Sequence, residues 1–89
     1  SPNCPVKTNN PKVLATVYKK KGAGLVSIAS WAESDTDVQL QINWTALGID
    51  PAKATITAPE VAGFQAGATF GTGDKIAVAK NKGLLLVIK

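Results

Sequence analysis

The sequence predicts an all-β fold, a small antiparallel β-sandwich of six to eight short strands with Greek-key connections and one helical turn near residues 44–48. Three observations carry this. Short runs rich in Val, Ile, Thr and aromatic residues recur at close spacing. Clusters of Gly, Pro, Asn and Asp separate them. No segment sustains the 3.6-residue apolar period of an amphipathic helix. At 89 residues there is room for one core, and no internal repeat is visible.

Residues 1–12 carry Pro2, Pro5 and Pro11 with Asn3, Asn9 and Asn10, a composition that reads as a linker or lead-in. The β-domain proper is placed at 13–89. VLATVYK (13–19) and LVSIASW (25–31) flank KKKGAG and read as a hairpin. TDVQLQIN (36–43) alternates cleanly: Val38, Leu40 and Ile42 share one face, and Asp37, Gln39, Gln41 and Asn43 the other. WTALG (44–48) reads as one helical turn stopped by Gly48 in a left-handed cap. Asp50-Pro51 suits a tight turn or the start of a one-turn helix. ATITA (54–58) is a strand that ends at Pro59. Residues 59–75 read as loose, with a brief pairing open to Thr69-Phe70. KIAVA (75–79) and LLLVI (84–88) are the last strands, with NKG (81–83) turning between them.

Two strands depart from the rule of one wet face. Every residue of 84–88 is apolar. In 25–31, Leu25, Ala29 and Trp31 share one face while Val26 and Ile28 share the other. Strands of this kind are covered on both sides. Either they are short and central, or something outside this chain covers the second face. The absence of Met, even at position 1, points to a piece of something longer and to a partner domain lying upstream.

The chemistry-bearing residues are few. Trp31 and Trp44 bracket Glu33, Asp35 and Asp37. A glycosidase needs two carboxylates held about 5–9.5 Å apart on a rigid cleft, and Glu33-Ser34-Asp35 is built of turn formers. Asp35-Thr36-Asp37 lacks the Gly and distal Glu of an EF-hand loop. GATFGTGDK (67–75) misses the phosphate-loop spacing and precedes a strand, so no helix N-terminus stands behind it. With no His in the chain there is no base for a nucleophilic triad, and Cys4 has neither a disulfide partner nor a metal-site companion. No catalytic residue, metal site or cofactor is therefore expected. Asn43-Trp44-Thr45 fits a glycosylation sequon, but the match is short and ends a strand.

The net charge of +4 comes from ten lysines and no arginine. Without Arg the bidentate contacts to phosphate and guanine are missing, and Lys19-Lys20-Lys21 reads as a solvated hairpin tip. Nucleic acid is not expected as a partner. A membrane is not expected either, since no apolar run approaches a spanning length and none reads as a signal peptide. The aromatic residues remain. Tyr18, Trp31 and Trp44 are candidates for stacking on a sugar ring, although Trp at a strand end more often packs in a core or interface.

The stretch VLATVYKKKGAGLVSIASWAESDTDVQLQINWTALGID resembles the C-terminal β-domain of large bacterial glycoside-hydrolase-like proteins of Bacteroides type. The closing GLLLVI strand and the lead-in NCPVKTNN extend the resemblance over residues 3–88. It implies a terminal sandwich, similar to the last domain of alpha-amylase-like and galactosidase-like enzymes, packed on an upstream catalytic (β/α)-barrel. It implies a periplasmic, secreted or cell-surface location and a role in carbohydrate metabolism. The catalytic residues of such enzymes lie in the barrel, and none maps onto this chain. The expected function is a non-catalytic accessory domain that stabilises the barrel, with Leu25, Trp31, Leu85 and Val87 as docking candidates. Two alternatives stand beside it. One is a carbohydrate-binding module that uses Tyr18, Trp31 and Trp44 on polysaccharide; the other is an immunoglobulin-like protein-interaction domain.

Overall fold

The computed structural model describes residues 4–89. In chain order these form β1 (Val6–Thr8), β2 (Val13–Lys20), β3 (Ala23–Ser30), β4 (Thr36–Val38), β5 (Leu40–Ile42), α1 (Trp44–Leu47), β6 (Ile56–Ala58), β7 (Ala68–Phe70), β8 (Ile76–Val78) and β9 (Gly83–Ile88). The fold is a small antiparallel β-sandwich. One layer is a five-stranded sheet in the order β2-β3-β9-β6-β7; β1 pairs with β5 and β4 with β8 in the other.

The final strand is central. β9 pairs with β3 from Gly24↔Ile88 to Ala29↔Gly83, and with β6 at Ile56↔Ile88 and Thr57↔Val87. This accounts for its apolar run: Leu86 and Ile88 face the core, fully buried, while Leu84 packs against its edge. Val26 and Ile28 of β3 and Ile56 and Ala58 of β6 complete the inner face of the sheet. Val6, Val38, Ile76 and Val78 close over it from the second layer. Gly24 leaves space for Leu47 of α1, whose Cδ2 lies 3.4 Å from where a Cβ would stand.

Three features differ from the sequence reading. Residues 1–12 read as a lead-in; 1–3 lie outside the described residues, and within the rest Val6–Thr8 pair with β5 from Val6↔Ile42 to Thr8↔Leu40. Val6 is wholly buried, so this stretch supplies a core residue. A run of Pro and Asn masks a three-residue strand because the pairing is long-range. Second, 36–43 is not one strand. Asn9 interrupts it at Gln39: Gln39 N–H donates to Asn9 Oδ1 (3.0 Å) and Asn9 N–H donates to the Gln39 carbonyl (3.1 Å). β4 and β5 thereby take different partners, although Val38, Leu40 and Ile42 all still face the core. Third, 59–75 is not loose throughout. β7 pairs with β6, and Val61 bridges Gln65. These pieces bring the described strands to nine rather than six to eight.

The helical turn forms where the sequence places it. Asn43 caps it, its Oδ1 accepting from Ala46 N–H at 3.1 Å. Gly48 ends it at φ 70°, in the left-handed region that favours glycine. The turn at 81–83 does not close a hairpin. It carries the chain from β8 in one layer to β9 in the other, with Asn81 at φ 53°.

Candidate functional site

Alternation along the five-stranded sheet decides which residues its outer face presents. Val26 and Ile28 are buried, so Leu25, Ser27 and Ala29 point away from the core, and Trp31 continues that alternation past the strand end. The register then sets Tyr18 against Leu25, Leu14 against Ala29, Leu25 against Val87 and Ser27 against Leu85. Leu14 (54%), Tyr18 (70%), Leu25 (46%) and Trp31 (61%) are all widely exposed. Leu85 and Val87 are half-buried.

Between Leu14 and Tyr18 on β2, Leu25 and Ala29 on β3, and Gly83 and Val87 on β9, no outer-face position is charged. Lys12 and Lys20 stand only at the ends of the β2 row. The other polar members, Thr16, Ser27, Thr57 and Thr69, are small hydroxyl residues. In a chain with ten lysines, charge is kept to the margins of this face, with Lys89 beyond the end of β9 another marginal lysine. Exposed aromatic side chains with lysine kept to the margins match the composition of protein–protein contacts, where aromatics are enriched and Lys is depleted.

The sequence-derived docking candidates Leu25, Trp31, Leu85 and Val87 thus fall on one face. The stacking candidates do not come together. Trp44 starts α1 and packs half-buried against the core, away from this face. Tyr18 and Trp31 share the face but stand at its opposite ends, roughly 20 Å apart at the rise of a β-strand. Sequence reasoning missed Leu14 and Phe64. Leu14 was open to inference, being two turns of the alternation from Tyr18. Phe64 was not, because its position depends on how 59–67 folds.

Of the remaining residues, Asp35, Asp74 and Cys4 have structural partners. Glu33, Asp35 and Asp37 are exposed, and Asp35 Oδ1 accepts from Lys80 N–H at 2.9 Å, tying the turn before β4 to the end of β8. Asp74 Oδ2 accepts from Gly71 N–H (2.8 Å), which closes the glycine loop on itself. Cys4 is half-buried, its thiol donating to the Val6 carbonyl at 3.1 Å. Among the described residues no group of His, Cys, Asp and Glu is placed to hold a metal ion. No helix is long and apolar enough to cross a membrane.

The fold places the chain among small two-layer antiparallel β-sandwiches. The particular family follows from comparison. Residues 1–89 match the family described as glycoside hydrolase 123, C-terminal domain, and the chain belongs to it. No curated protein and no solved structure matches the chain.

Proposed function

We propose that this chain is the non-catalytic C-terminal domain of a glycoside hydrolase and that it packs on, and stabilises, the (β/α)-barrel preceding it. One observation carries the reading: on the outer face of the five-stranded sheet Leu14, Tyr18, Leu25 and Trp31 are widely exposed, and lysine stands only at the margins. Membership of a C-terminal-domain family supports an upstream neighbour in the same polypeptide, the occupant this reading assigns to the face. The (β/α)-barrel identity of that neighbour, a Bacteroides-type parent and a periplasmic, secreted or cell-surface location belong to the same proposal.

Hydroxyl-radical footprinting tests it. In the complete polypeptide encoded by the gene, oxidation of Tyr18, Leu25 and Trp31 is expected to be strongly slowed relative to the 89-residue chain alone. Equal rates in the two would sink the docking reading. The exposure of Tyr18 and Trp31 favours a second reading, polysaccharide binding. It predicts a saturable change in tryptophan fluorescence with oligosaccharide and no protection in the complete polypeptide.

A further inference from the structure

The segment 61–73, VAGFQAGATFGTG, contains no charged residue; Glu60 and Asp74 flank it. An exposed loop of this length is ordinarily polar. Here its first part is a tight hairpin. Val61 N–H donates to the Gln65 carbonyl, and Gln65 and Phe64 N–H both donate to the Val61 carbonyl, each at 2.9 Å. Gly63 at φ 73° makes the turn possible. Two of its apolar side chains face solvent, Val61 at its base (36% exposed) and Phe64 in its turn (50%).

Gln65 fastens this hairpin to the sheet. β6 pairs with β9 only at Ile88 and Val87 and then leaves at Pro59. The Gln65 side chain takes over at the next rung. Leu85 N–H donates to its Oε1 (2.8 Å), while its Nε2 donates to the Leu85 carbonyl (3.0 Å) and the Pro59 carbonyl (2.7 Å). An amide side chain thus stands in for a strand. The result fixes Phe64 over the outer face. A Cβ added at Gly83 would lie 3.7 Å from Phe64 Cζ. Gly83 pairs with Ala29, so the ring stands beside the smallest pair of the face.

We infer that the Val61–Gln65 hairpin is a second docking element, a finger laid along the edge of the outer face, whose Phe64 and Val61 contact the upstream domain. The inference rests on the docking reading above and adds the anchor. A rigid aromatic side chain, pre-positioned by three side-chain bonds, is the type of residue that dominates interface energetics. The absence of charge over 61–73 fits a segment that is desolvated in the assembled enzyme.

Limited proteolysis of the complete polypeptide at the junction before Cys4 tests this, since cleavage reports the open, undocked population. Phe64→Ser is expected to speed release of the C-terminal domain about 30-fold, in the range of a lost aromatic anchor. Val61→Ser should act in the same direction, and the melting temperature of the 89-residue chain should change little with either. Leu25→Lys is the comparison for the sheet face. If Leu25→Lys speeds release and neither finger variant does, the finger is overturned and the docking reading stands. If none of the three speeds release, docking itself fails and the finger with it.

Discussion

Gly83 shows how one backbone position serves both sides of the sheet. A Cβ there would come within 3.1 Å of the Ile28 carbonyl oxygen, a backbone atom that cannot step aside without disturbing the β3–β9 ladder. Gly83→Val is therefore expected to lower stability by about 1–3 kcal/mol, the usual range for overpacking. Denaturant unfolding of the 89-residue chain checks it, and an unchanged midpoint would show that the ladder relaxes. Ile28, buried in the middle of the core, should cost about 2–5 kcal/mol when truncated to Ala. The sequence marked Ile28 as belonging to a strand covered on both faces, but alternation alone did not say which neighbours faced inward.

At the scale of elements, two short pieces hang on single side chains. α1 has only four residues and depends on its caps. Asn43→Ala removes the acceptor for Ala46 N–H and should cost about 1 kcal/mol, whereas Asn43→Asp should retain most of it. Equal melting temperatures for the two variants would contradict the capping role. Gln65→Leu leaves the Leu85 N–H without its side-chain acceptor. A part-buried donor left unpaired costs about 1–3 kcal/mol, so amide exchange at Leu85 should quicken while that at Leu86 is little changed. The cap at 43–48 was legible because its signals are local: Asn before, Gly after, four residues between. The Gln65 clip was not, because its partner lies twenty residues away and a lone Gln carries no pattern. β1 escaped for the same reason, since its partner strand is β5 and its own composition is that of a loop.

For the whole molecule, the exposed Leu14, Tyr18, Leu25 and Trp31 of the outer face predict weak self-association when the upstream domain is absent. Burial of one Trp contributes up to ~4–6 kcal/mol before ordering costs at about 25 cal/mol per Å². Sedimentation of the 89-residue chain is expected to show concentration-dependent dimers that Leu25→Lys removes. A strictly monomeric chain at high concentration would argue against an adhesive face. The same chain is expected to release no phenol from a panel of aryl glycosides. Turnover that survives purification and disappears with Asp35→Asn or Glu33→Gln would overturn that. Millimolar calcium is expected to leave its melting temperature unchanged; a rise reversed by chelator would show native-state binding.

The longer strands, the one helical turn and the lack of a His-based site were set by residue types and their spacing alone. A two-residue period and a left-handed Gly cap are local properties that no tertiary contact needs to supply. The sequence also paired Leu25, Ala29 and Trp31 on one face and Leu85 and Val87 on another, without saying which way either pointed. Only the tertiary structure decided that. Both readings satisfy the same alternation, and the choice depends on where the second layer lies: Val6, Val38, Ile76 and Val78 cover Val26, Ile28, Leu86 and Ile88, and the opposite set is left facing out. The finger at 61–65 was likewise a tertiary decision, because a segment without periodicity takes its position from the strand it is bonded to.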